Sequence, residues 1–160
     1  MADVDARLIG GEKAAVQLRF TAKGIYGAAL MFGQIGSLLV ANIKVRTGEG
    51  KDVDGNAFEP YVPSYAAYRK EQGRPTSPVD LFFTGTMLNS LTYEFDRNRV
   101  RAFFMPVQDK FGTPSPIKAY SLNIKRRFFG FSKKDVQDIR EIAQQYIRGL
   151  IAKGGKSGGK

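Results

Sequence analysis

The acid chemistry open to this chain is concentrated in two places. Asp52, Asp54 and Glu59 stand close together in KDVDGNAFE, a density of oxygen ligands that invites a calcium-loop reading. The EF-hand pattern needs glycine at its sixth position and a carboxylate at its twelfth. Here Gly55 is fourth and Glu59 eighth, so Asp54-Gly55-Asn56 is expected to form a tight turn instead. Glu94 and Asp96 share one strand face and form a pair of the kind glycosidases use. No apolar pocket can be inferred to shift their pKa values, so solvated charges are the expectation. The chain has no histidine and no cysteine, which removes the side chain best suited to proton transfer near neutral pH and the commonest zinc ligands. Neither a GxGxxG nor a phosphate loop is present, and the one GxSxG match, Gly155-Lys156-Ser157-Gly158-Gly159, falls in the Gly-rich tail without the strand and helix a nucleophile elbow needs, so nucleotide-cradling and serine-nucleophile signatures have no support. The expectation is a protein that is not an enzyme and holds no metal or cofactor.

Basic residues offer a second kind of chemistry. Twenty-five Lys and Arg against 15 Asp and Glu give a net charge of +10, which favours anionic partners without choosing among nucleic acid, acidic protein surfaces and lipid headgroups. The clusters are Arg97, Arg99 and Arg101; Lys125, Arg126 and Arg127 beside Phe128 and Phe129; Lys133 and Lys134; and Lys153, Lys156 and Lys160. Cations interleaved with aromatics bind single-stranded nucleic acid by phosphate pairing and stacking. The competing reading makes Phe128, Phe129 and Phe131 core and the charges a solvated or intersubunit face. The absence of any common nucleic-acid module motif favours this second reading. A basic nucleic-acid-binding protein is the alternative.

These residues need elements to hold them. Apolar residues at 42% and charged residues at 25% match folded soluble chains, and the length suits a single domain. One assembly domain over residues 1–153 is expected, with a flexible, basic, Gly-rich tail at 154–160. The start, MADVDARLIGGEK, lacks the basic and apolar regions of a secretory signal. Ala15 to Phe20 alternates as a short strand or a helical turn. Ile25 to Ile43 carries no charge and predicts a first helix whose buried face holds Leu30, Met31, Ile35, Leu38, Leu39, Asn42 and Val45. Its length approaches a membrane span, but Gly27, Gly33, Gln34, Gly36, Ser37 and Asn42 dilute it, and a buried core helix is expected, with no membrane partner. Residues 46–80 are rich in Gly, Pro, Asp and Ser and predict a long ordered loop with a helical stretch near Ser64 to Lys70. Such loops usually have a function or a partner.

Thr84 and Gly85 offer a short helical turn. Leu91, Tyr93 and Phe95, then Val100, Ala102 and Phe104, alternate about Arg97-Asn98-Arg99 and predict a β-hairpin ending at Pro106. A short helix is expected from Ile117 to Arg127. The last helix is capped by Ser132, with Val136, Ile139, Ile142, Ala143, Tyr146, Ile147, Leu150 and Ile151 along one stripe. The fold class expected is α+β, with helices packed on an antiparallel sheet, a prominent β-hairpin and a single domain.

Three strings carry a likeness. RTGEGKDVDGNAFEPYVPSYAAYRKEQG holds an "RT, G, D-x-D-G, F-x-P-Y" loop, PVDLFFTGTMLNSL a "DL-x-x-TG-x-ML" turn, and RRFFGFSKKDVQDI an "R-x-F-x-G-x-S" approach to the last helix. In this order and spacing, over about residues 28 to 150, they resemble the phage virion-morphogenesis and tail-completion proteins, a group that looks related to phage neck and head–tail joining proteins. The resemblance implies a structural virion subunit, assembled in the host cytoplasm, in a six-fold or twelve-fold ring of its own copies at the head–tail junction. It implies neck, connector or tail-tube proteins as neighbours and leaves open DNA passing through the ring. It carries no catalytic residues across. The candidate partner or subunit contacts are Arg97, Arg99 and Arg101, Lys125, Arg126 and Arg127, Asp52, Asp54, Tyr61 and Tyr65.

Overall fold

The computed structural model describes residues 3–9, 15–21 and 28–154. The tail expected at 154–160 lies outside the described residues except for Gly154, which closes the last helix.

Strands β1 (Asp3–Ile9), β2 (Ala15–Thr21), β3 (Leu91–Phe95) and β4 (Arg99–Phe104) form an antiparallel sheet in the order β1-β2-β4-β3. The β3–β4 hairpin is the one the alternation predicts, with Leu91, Val100, Ala102 and Phe104 buried. Asp96 closes its turn by accepting the N–H groups of Asn98 and Arg99 at 2.8 and 3.1 Å, an Asx turn. Residues 15–21 are a strand, not a helical turn, and their register sets Leu18 opposite Val100 and Val16 opposite Ala102. Strand β1, in the N-terminal segment read above only for the absence of a signal, pairs onto β2.

Helix α1 (Ala29–Gly48) packs across β3 and β4. Its buried face is Met31, Phe32, Ile35, Gly36, Leu39, Ile43 and Thr47, rotated from the expected one, and Leu30 and Val45 are exposed at 79% and 61%. An uncharged segment gives periodicity little polar contrast with which to mark a face. The glycines settle it. A Cβ at Gly36 would overlap the Tyr93 ring, and one at Gly33 would lie 3.2 Å from that of Phe95. Two β3 rings, stacked with centroids 6.1 Å apart, therefore bed against the helix backbone. Among the described residues no helix is long and apolar enough to cross a membrane.

The 46–80 segment is ordered by local turns and by helix α2 (Pro63–Glu71), which Pro63 starts, a residue well placed at a first helical position. Asp52 accepts the N–H groups of Asp54 and Asn56 at 2.9 and 2.8 Å, and Gly55 takes φ +88°, so the tight turn forms as expected. The short helix α3 (Thr86–Asn89) follows Gly85, at φ +82°. Helices α4 (Ser115–Arg126) and α5 (Lys133–Gly154) complete the order.

Helix α5 lies on α1 and buries Ile139 and Ala143 against Met31, Phe32, Ile35 and Val100. The expected stripe outruns this core. Val136, Leu150 and Ile151 are exposed. The start of α5 is locked: Ser132 Oγ accepts the Asp135 N–H at 3.1 Å, while Asp135 Oδ2 accepts the Ser132 N–H at 2.7 Å. This reciprocal capping pair satisfies donors that a helix start leaves free. Asp135 is fully buried and also receives Arg46 at 2.9 Å and Asn42 at 2.8 Å from α1. Phe128 and Phe129 join the main core beside Phe104, and Phe131 is half-buried against it. The fold is α+β, helices on an antiparallel sheet.

Candidate functional site

The phenylalanines of the RRFFGF segment are core, so the neighbouring cations have to be placed one by one. Arg127, at the C-terminal cap of α4 with φ +38°, pairs with Asp54 at 2.6 Å, and its carbonyl accepts the Val53 N–H at 3.1 Å. It ties the Asp52 turn to α4. Arg99 pairs with Asp96 at 2.9 Å and Arg101 with Glu94 at 3.4 Å. Arg101 also lies over the Phe103 ring at 4.8 Å. Glu94 and Asp96 are thus exposed partners of the hairpin arginines. The hairpin turn itself is exposed, Arg97 included.

Lys125 and Arg126 go elsewhere. Together with Tyr61 and Tyr65 they line a cleft of about 340 Å³ between the α2 segment, the turn before α3, and α4. Arg69, Lys118, Phe83, Thr84 and Thr86 also line it, with Glu59 as the one acid of the lining. Such a volume suits small groups or side chains. Two of the lining arginines face the Tyr61 ring. The Arg69 guanidinium lies 4.6 Å from the ring centroid and that of Arg126 5.7 Å. Tyr65 meets the ring edge-on at 5.2 Å.

Arg69 is 1% exposed, and its surroundings account for that. It donates to Asp80 Oδ1 at 3.0 Å and to the carbonyls of Pro75 at 2.8 Å and Phe82 at 3.1 Å. A buried guanidinium is tolerated when its hydrogen bonds are met in this way. Asp80 Oδ1 also accepts the Tyr61 hydroxyl at 3.2 Å. Burial raises the Tyr61 pKa above its ordinary value, with Arg69 pulling the other way. Beyond Tyr65, Tyr68 stacks on Phe83 at 5.6 Å, and Arg74 and Lys110 cover the Phe83 ring at 5.9 and 5.2 Å.

Comparison with known protein families, with curated proteins and with solved structures returns no match.

Four of the ten candidate contacts, Tyr61, Tyr65, Lys125 and Arg126, therefore converge. Asp52, Asp54 and Arg127 form a separate turn-to-helix junction, and Arg97, Arg99 and Arg101 belong to the hairpin. The cleft's other cations, Arg69 and Lys118, were not anticipated. A signal for Arg69 existed, because Tyr65, Tyr68 and Arg69 fall on one face of a helix at i, i+3 and i+4. Among the described residues no group of three or more acidic side chains is placed to hold a metal.

The strings behind the family likeness also meet. Arg46, of the first, donates to the carbonyls of Phe128 and Gly130, of the third, at 3.3 and 3.1 Å. Gly85, of the second, lines the cleft with Tyr61, of the first, and Asp80, also of the second, accepts the Tyr61 hydroxyl.

Proposed function

We propose that this chain is a non-enzymatic structural subunit of a tailed-phage neck or tail-completion assembly, acting as a ring of its own copies at the head–tail junction. The motif likeness supplies the family. The observation that carries assembly is the outer face of α4, where Ile117, Tyr120 and Ile124 are 42%, 41% and 67% exposed. They recur at three- and four-residue spacing, so they form one apolar stripe. Phe111, at 74% exposure, precedes the same helix. A soluble chain left with such a stripe gains by covering it with another surface. The exposed end of α5, with Leu150 and Ile151, is a second apolar face on another element. Two different faces are what a head-to-tail ring requires.

Light scattering of the purified protein at low and high salt tests this. A salt-resistant oligomer that Ile124→Glu reduces to monomer is the expected result. A wild-type monomer that binds short DNA tightly at low salt, and loses it as salt rises, would overturn it in favour of a nucleic-acid-binding protein.

A further inference from the structure

We infer that the cleft around Tyr61 is a docking site for an acidic peptide segment of a partner protein, with Lys125 and Arg126 receiving its carboxylates. The inference goes beyond assembly through the α4 stripe, which is apolar.

Charge accounting within the chain comes first. Arg69 and Lys118 already face Asp80 and Asp109. Lys125 has no ion pair among the described residues. Arg126 donates only a long hydrogen bond, 3.3 Å to the Glu59 carbonyl, and its Nε is buried without a hydrogen-bond partner. Among the described residues eight acidic side chains stand in ion pairs within the chain, which leaves Glu59 as the one acid of the lining to answer these cations from inside.

The ring geometry then selects the anion. Single-stranded nucleic acid needs open aromatic faces on which bases stack. Here the rings of Tyr61 and Phe83 are attended by Arg69, Arg126, Arg74 and Lys110, so cations occupy the places bases would take. A concave cleft of about 340 Å³ also admits side chains more readily than the convex backbone of a duplex. Carboxylates meeting a guanidinium and an ammonium in a partly dry cleft form the stronger, charge-assisted kind of hydrogen bond.

Calorimetric titration of the full chain with acetylated hexaglutamate, and separately with an oligothymidylate of equal charge, decides the matter. Hexaglutamate is expected to bind at low salt, and Arg126→Gln and Lys125→Gln each to weaken it about tenfold, the size of one charge-assisted hydrogen bond. Arg97→Gln, on the distant hairpin, should leave it unchanged. Lys125 is exposed, so its variant separates lost binding from lost folding. Failure of hexaglutamate to bind, binding insensitive to both cleft variants, or tighter binding of the oligothymidylate with the same sensitivity would each overturn the inference. The readout does not depend on whether the chain forms a ring, so the two readings fail separately.

Discussion

Asp109 gathers three donors in the loop after β4. It accepts the N–H groups of Phe111 and Thr113 at 2.9 and 3.0 Å and the Lys118 ammonium at 2.9 Å. Lys118 first, then the Thr113 N–H, hold its carboxyl at about 2, below the ordinary value of 3.8. A carboxylate with a depressed folded-state pKa contributes stability above its unfolded pKa and loses it as pH falls through the folded value. Thermal melts from pH 5 to pH 2 should therefore show Asp109→Asn less stable than wild type at pH 5, with the gap closing towards pH 2. A gap constant with pH would remove the carboxylate from the explanation. The sequence made Lys125, Arg126, Tyr61 and Tyr65 of the cleft legible, but not Arg69 and Lys118, nor any of their partners. Lys125, Arg126 and Arg127 are adjacent in sequence, yet the last turn of α4 sends two to the cleft and the third to Asp54. Which of three consecutive cations pairs with an acid 73 residues away is a tertiary fact that sequence spacing does not encode.

Among the elements, α1 shows how packing overrides pattern. Its charge-free sequence marks a buried helix but not which side faces the sheet, whereas Gly33 and Gly36 admit the β3 rings and set the rotation. Gly36→Ala is expected to destabilise the fold by about 1–3 kcal/mol through overpacking against Tyr93, despite alanine's better helix propensity. Gly48→Ala, on the same helix with open space around it, is the control. Chemical denaturation of both reads the difference, and equal midpoints would refute the close-packing argument. The β3–β4 hairpin and the start of α5 were legible because their signals are local: alternation on either side of a short turn, and a serine at the cap. Strand β1 was legible by the same rule and was missed: DVDARLI sets Val4, Ala6 and Leu8 against Asp3, Asp5 and Arg7, the alternation of a strand.

For the molecule as a whole, the +10 charge is a long-range repulsion that the local ion pairs do not remove. Exposed pairs such as Arg99–Asp96 and Arg127–Asp54 contribute little each. Raising ionic strength from about 10 mM to about 150 mM shortens the Debye length from about 30 to about 8 Å, which weakens repulsion between distant cations more than contacts already at hydrogen-bond range. The melting temperature should therefore rise over that interval. A fall would mean that short ion pairs dominate.

Asp135 closes a circuit with Asn42 and Arg46 that spans 93 and 89 residues of chain, and this bears on how the protein is made. While the chain is being synthesised, α1 emerges early with its apolar face bare. The strands β3 and β4 that bed its glycines, and the helix that covers Met31 and Ile35, follow many residues later. Folding governed by such distant contacts is slow and leaves apolar surface open meanwhile. A nascent chain stopped short of Ser132 would lack both the cap and the cover, so the native packing of α1 waits until the last helix leaves the ribosome.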